Sequence, residues 1–189
     1  MEDIKVKDVM IPVKEYSRVS KDTTVHQAML KLVKEGEDKK LSHPHRDILV
    51  EDENRNIVGK LTILDIFMHM EPSYFKLLSK NQNNFLDKNF VQRVFKDFNL
   101  WDEPMHTLCK RISDVKIEKI MYTAALSEIL EEDDSLDKAL HSYIVGIHQP
   151  ILVKKDKTIT GVLRLGDVFE KVRESILSCA IETTDTIKE

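Results

Sequence analysis

The sequence predicts an α/β (α+β) chain built of two pseudo-symmetric repeats with a helical insert between them. Three observations predict it. Ile48-Leu49-Val50, a polar turn and a second apolar run from Gly59 to Asp65-Ile66-Phe67 return as Ile151-Leu152-Val153, a turn and Gly161 to Asp167-Val168-Phe169. The offset between the two acidic residues is 167 − 65 = 102. Ahead of each copy lies an apolar pattern of helical period, and between the copies lies an aromatic-rich stretch of a different character. Two copies suit a closed pair better than a solenoid, so a binding site between the halves becomes the first functional hypothesis.

The first repeat opens with Val6-Lys7-Asp8-Val9-Met10, a short apolar-polar segment expected as a strand, then an irregular stretch from Pro12 to Arg18. Val25, Ala28, Met29, Leu32 and Val33 recur at steps of three and four, one face of a helix. The cluster of Ser20, Asp22, Thr23 and Thr24 ahead of it supplies N-cap chemistry. Gly36 to Arg46 is expected as a loop. Ile48 to Val50 is a short strand, Asp52 to Asn56 a turn and Ile57 to Ile63 the hairpin partner. A further helix starts over Thr62 to Phe67.

The second repeat follows the same order. Ile117 to Met121 matches the opening, and Glu131 to Ser135 caps a helix carrying Leu136, Ala139, Leu140 and Tyr143. Gly146 to Gln149 is a loop, Ile151 to Val153 a strand, Lys154 to Thr158 a turn and Ile159 to Leu165 its partner. The closing helix runs from Gly166, and residues after Ile181 are expected to fray.

Roughly from Met68 to Arg111 the chain collects Tyr74, Phe75, Phe85, Phe90, Phe95, Phe98 and Trp101. Phe90, Val94 and Phe98 stand four apart, with Val91 and Phe95 on a neighbouring stripe, which argues an amphipathic helix. A second short helix is expected from Glu103 to Ile112, with Pro104 in its first turn. These aromatics either cap the core of the pair or offer a surface to a partner. The organisation expected is therefore repeat 1 over 1–70, insert over 71–111, repeat 2 over 112–180 and a flexible tail over 181–189.

Composition narrows the function. A net charge of −4 over 189 residues, without a long Lys/Arg run, disfavours nucleic acid. Cys109 and Cys179 fit no ligand or CxxC pattern and suit reduced thiols. The N-terminus lacks the apolar core of a signal peptide, and no apolar run is long enough to cross a bilayer. A cytoplasmic, soluble protein without a membrane partner is expected.

The chemistry-bearing candidates stand where each hairpin ends. Thr62 and Asp65 sit three apart at a strand-to-helix junction. The carboxylate can accept both hydroxyls of a ribose, while Thr62 and free helix N–H groups can meet a phosphate. The same spacing is also a plain capping arrangement. In the second copy Arg164 replaces the hydroxyl residue beside Asp167; it can clamp a polyphosphate bidentately, or pair with Asp167 and block a nucleotide. His43-Pro44-His45 makes a poor metal site without a cysteine or carboxylate at ligand spacing. No nucleophile elbow and no P-loop are present, so neither an enzyme nor an ATPase is expected.

Two copies of strand-helix-strand-strand-helix, each closing Gly-x-Leu-x-(Ile/Leu)-x-Asp, resemble tandem cystathionine β-synthase (CBS) domains. Lys5–Phe67 and Val115–Val172 carry the resemblance, with Asp8-Val9-Met10 near the start and Gln149-Pro150 before the second hairpin. The insert is longer than a minimal CBS linker. The resemblance implies a pseudo-twofold pair packed through its small sheets, two clefts that often bind adenosine-containing ligands, dimerisation as discs and a regulatory role. By position it implies one cleft from Thr62, Asp65, Thr123, Gly146, Ile147 and Pro150, with backbone near Ile147 reading the adenine edge. A second would use Arg164 and Asp167 with Pro12, Ser17 and the His43-Pro44 region, although Asp47 stands where Pro150 stands. The function implied is a sensor that binds AMP, ADP, ATP or S-adenosylmethionine, requires no cofactor, and signals to an unknown protein partner or through its own homodimer. The competing expectation is a ligand-free dimerisation or interaction module using the aromatic insert.

Overall fold

The computed structural model describes residues 4–39, 46–74 and 100–185. The first repeat comprises a 3-10 turn at Val6–Asp8 and strand β1 (Ile11–Pro12), then β2 (Arg18–Ser20), α1 (Val25–Lys39), β3 (Ile48–Glu51), β4 (Ile57–Leu61) and α2 (Ile63–Met70). Helix α3 (Met105–Ser113) and a 3-10 turn at Ile117–Lys119 follow. The second repeat continues with β5 (Leu130–Glu131), α4 (Leu136–Ile144), β6 (Ile151–Lys155), β7 (Thr158–Leu163) and α5 (Leu165–Asp185).

The chain folds as two compact units, and each takes chain from both repeats. One holds residues 1–17, 53–58 and 123–189, the other 18–52 and 59–122. In the first unit the strand order is β1-β7-β6-β5. β6 and β7 form the expected hairpin, turning at Asp156, whose φ of 56° is the left-handed conformation that a short polar side chain tolerates. β5 runs parallel to β6, its crossover made by α4. β1 adds to the other edge, antiparallel, with Ile11 opposite Val162 and Pro12 opposite Gly161. Val6 is buried in the core of this unit with Leu136, Ile151, Val153, Leu163 and Val168. The backbone N–H groups of Val6 and Lys7 donate to the carbonyls of Asp134 and Glu132, and Leu136 N–H donates to Ile4.

The second unit repeats this pattern with the partners exchanged. Its sheet has the order β2-β3-β4, with β2 parallel to β3 and Val19 opposite Val50. Here Ile117 and Glu118 donate to the carbonyls of Thr23 and Lys21, and Val25 donates to Val115. Lys60 and Tyr122 form an antiparallel bridge, the counterpart of Ile11 and Val162. So the opening segment of each repeat docks on the body of the other.

Two glycines permit this close approach. A β-carbon on Gly59 would meet the Tyr122 carbonyl at 2.9 Å and Met121 Sδ at 3.1 Å. One on Gly161 would collide with Met10 and stand 3.1 Å from the Ile11 carbonyl. A matching ion pair marks each docked segment: Lys7 to Asp133 at 2.6 Å and Lys116 to Asp22 at 3.0 Å. Hydrogen bonds from these lysines hold the carboxyls of Asp133 and Asp22 below the ordinary aspartate range.

Several expectations change. The opening segments are 3-10 turns rather than strands, because the docked chain satisfies its N–H groups on another segment instead of in its own ladder. α1 continues through Gly36 to Lys39, past the expected loop start, since extending an existing helix adds a bond for each residue fixed. Val33 is exposed rather than on the packed stripe of α1. α5 likewise runs through Asp185, past the tail expected after Ile181. Helix α3 matches the one expected over Glu103 to Ile112, with Pro104 as its N-cap residue. Phe75, Phe85, Phe90, Val91, Val94, Phe95, Phe98 and the His43-Pro44-His45 triplet lie outside the described residues.

Candidate functional site

β4 ends in Lys60-Leu61 and hands over to α2 through Thr62, whose extended backbone makes it the N-cap. The cap is reciprocal. Asp65 N–H donates to Thr62 Oγ1 at 3.3 Å, while Thr62 N–H and its hydroxyl donate to Asp65 Oδ2 at 2.8 and 2.7 Å. Both residues are buried, Asp65 at 2% exposure. The capping reading of this pair is therefore realised. An ionised carboxylate held in the first turn also gains from the helix dipole. His69 Nδ1 lies 2.8 Å from the Asp65 carbonyl, one turn further on.

The equivalent junction in the second repeat is built differently. Arg164 donates from Nε and Nη2 to the two oxygens of Asp167, each at 2.8 Å. Both side chains are about three-quarters buried, so this planar two-bond pair has little competition from water. Arg164 and Asp167 are thus paired in this structure.

The remaining expected residues belong to the same unit as Arg164 and Asp167. Thr123 is exposed. Gly146 has a φ of 85°, a left-handed conformation that closes α4 and that a side chain would strain. Ile147 donates its N–H to Ser142 and packs on the core of this unit. Pro150 is buried behind a cis peptide with Gln149. Pro12 pairs with Gly161, and Ser17 is buried. Thr62 and Asp65 belong to the other unit.

Sequence reasoning passed over Lys60. It is 2% exposed, among the largest fully buried side chains, and its ammonium lies 5.2 Å from the centroid of the Tyr122 ring. The repeat register could have flagged it, because the twin of Lys60 is the fully buried Val162.

At the far end of α2 the chain closes around Trp101. Its backbone N–H donates to Glu71 Oε2 at 3.2 Å, and its indole N–H donates to the Tyr74 hydroxyl at 3.0 Å. The Phe67 ring meets the indole edge-on at 6.2 Å. Trp101 has a φ of 61°, which costs a bulky residue about 1–3 kcal/mol of backbone strain. Burial pushes the Glu71 carboxyl up, but bonds from Ser73 and Trp101 and the nearby Arg111 outweigh it and hold the group below the ordinary range.

No protein-family model matches the sequence, and a search of curated proteins finds no match. Solved structures do match. A CBS domain-containing protein of unknown function from Bacillus anthracis superposes with a TM-score of 0.58 at 20% identity, over 92% of this chain and 95% of that one. CBSX2 in complex with AMP superposes at 0.56 and 19%, over 90% of this chain and 97% of that one. The fold is that of a tandem CBS domain pair. A third CBS structure, from a CBS domain-containing membrane protein of Sphaerobacter thermophilus, superposes at 0.54 and 16%, over 89% and 88%. Among the described residues of this CBS pair, no helix is long and apolar enough to cross a membrane. Among the same residues, no cluster of three or more histidine, cysteine or acidic side chains is set to hold a metal.

Proposed function

We propose that this CBS pair is a cytoplasmic regulatory module, without catalytic activity of its own, that binds an adenosine-containing nucleotide and passes its occupancy to a partner chain or to a second copy of itself. One observation carries the reading: the buried Asp65 carboxylate at the start of α2, in a fold whose structural neighbour CBSX2 was solved with AMP. A carboxylate in that position accepts ribose hydroxyls, and the first turn of α2 offers N–H groups to a phosphate. We place the nucleotide at Thr62 and Asp65. Asp167 is already bound by Arg164, so we assign one nucleotide to each chain.

A ligand changes the module only by binding one of two conformations better than the other. The capping bonds of Asp65 supply the means. Ribose hydroxyls that claim this carboxylate compete with Thr62 for it, and so act on the start of α2.

Calorimetric titration of the purified chain with AMP, ADP, ATP and S-adenosylmethionine tests the reading. The expected result is saturable binding of at least one at about one per chain, lost in Asp65→Ala with the fold retained by circular dichroism. Unchanged affinity in that variant removes the Thr62–Asp65 site. A stable dimer that binds none of the four favours the ligand-free interaction module instead.

A further inference from the structure

α2 and α5 begin as twins and end differently. α5 runs from Leu165 through Asp185, whereas α2 stops at Met70. Pro72 explains the stop. A residue before proline is kept out of helical backbone, and Glu71 turns away at φ −120° and ψ 85°. The end so made is tied down. Arg111 of α3 donates to the Met70 carbonyl at 3.4 Å and is itself paired with Glu103 at 2.6 Å. Glu71 accepts the backbone N–H of Trp101, 30 residues further along the chain.

This clasp holds Trp101 in a backbone conformation that it would not keep alone. At a φ of 61° a bulky residue is an outlier, and such outliers persist only where the surroundings over-determine them. Here the surroundings are Glu71 at the backbone N–H, the Tyr74 hydroxyl at the indole N–H and the Phe67 ring against the indole. With these contacts broken, Trp101 has ordinary negative-φ backbone to relax into. Such a residue is a two-state element that a ligand can bias.

The same helix carries the clasp at one end and the Thr62–Asp65 cap at the other. At eight residues α2 is little more than two turns, about 12 Å. Bonds span it from end to end: Ile66 N–H to Thr62 O at 3.2 Å, His69 Nδ1 with the Asp65 carbonyl at 2.8 Å, Glu71 N–H to Phe67 O at 3.1 Å. Phe67, whose ring meets Trp101, stands in the same turn as Asp65, two residues on.

We propose that α2 is a transmission rod between the nucleotide site and the clasp at Trp101. The capped helix and the closed clasp form one state; a nucleotide on Asp65 favours the other, in which the clasp opens. This rests on the nucleotide reading above and adds how occupancy leaves the site. Coupling between two sites is reciprocal, so whatever opens the clasp must tighten nucleotide binding.

No other tryptophan is present, so emission from Trp101 reads the clasp without a label. The probe is the tightest binder among AMP, ADP, ATP and S-adenosylmethionine in calorimetry. Titrating it into the wild-type chain is expected to change tryptophan emission saturably, at the calorimetric midpoint, and Asp65→Ala should abolish both signals. Glu71→Ala and Tyr74→Phe each remove an acceptor from Trp101 and leave Thr62 and Asp65 in place. Glu71→Ala should bind the same probe at least about fivefold more tightly, the lower end of ordinary coupling between sites, and Tyr74→Phe should shift the same way. Loss of fold cannot produce that gain. Calorimetric binding to the wild type with unchanged tryptophan emission overturns this proposal alone and needs no variant. Weaker or unchanged binding in Glu71→Ala also overturns it; should that variant fail to fold by circular dichroism, Tyr74→Phe decides in its place. If none of the four binds the wild type, the nucleotide reading falls and this proposal with it.

Discussion

Gly59 lies so close to Tyr122 that a β-carbon on the glycine would stand 2.9 Å from the tyrosine carbonyl oxygen. That oxygen accepts the N–H of Lys60, so it cannot retreat without breaking the bridge that docks the second opening segment. Gly59→Ala is expected to destabilise the fold by about 1–3 kcal/mol, the usual range for overpacking. Gly161→Ala should cost less, because its closest neighbour is the flexible end of Met10 and the nearest backbone atom, Ile11 O, is at 3.1 Å. Urea denaturation of the two variants checks the ranking. Equal stability of Gly59→Ala and wild type would contradict it.

The reciprocal cap at Thr62 and Asp65 makes a separate prediction about stability. Removing the hydroxyl in Thr62→Ala deletes the bond from Asp65 N–H and one of the bonds to Oδ2. A loss of about 1 kcal/mol is expected, as for other N-caps. Thr62→Ser should stay within a few tenths of that of the wild type. Thermal melts of the two variants, run without nucleotide, measure the cap alone.

Arg164 and Asp167 form a pair that can be undone by copying the other repeat. Arg164→Thr gives the second junction the hydroxyl and carboxylate that the first one has. Some loss of stability is expected, because the substitution removes both bonds of a largely buried pair. On the proposed function, freeing Asp167 raises the nucleotide stoichiometry above one per chain in calorimetry. A stoichiometry of two in the wild type would show that the arginine does not block its site.

Trp101 is the single tryptophan of the chain and reports on Glu71 directly. The Glu71 carboxyl is lowered in the folded state, so its contribution is complete above the unfolded glutamate value of about 4.3. That contribution is lost as pH falls through the lower, folded value. Intrinsic fluorescence is therefore expected to hold steady from pH 7 to 5 and to change below about 4.3. In Glu71→Gln, which carries no titrating group there, this acid step should disappear. Persistence of the step would assign it to other carboxyls, such as Asp22 or Asp133.

Much of the fold was legible because its signals are local. The Ile-Leu-Val runs, the polar turns and the stepwise apolar residues of α1 and α4 each specify one element from neighbouring residues alone. The short strands β2 and β5 escaped, since two or three residues carry no period. At the candidate site, the spacing of Thr62 and Asp65 announced a cap. Nothing near Arg164 in the chain could choose between a carboxylate three residues away and a ligand phosphate. Lys60 was passed over because a lysine at the edge of an apolar run ordinarily reads as solvated, and only burial shows otherwise.

By itself the sequence determined that there are two repeats, what elements each contains and where their acidic residues fall, because these depend on contacts between near neighbours. Tertiary structure alone decided that each opening segment docks on the other repeat's body. Val6 and Ile117 carry no local mark of which sheet they join; packing beside Gly161 and Gly59 and the carbonyls left open at Glu132, Asp134, Lys21 and Thr23 select it. The physical reason is range: a turn or a helix face is set by residues a few steps apart, whereas an exchanged segment is set by atoms about a hundred residues away, which meet only once the core has formed.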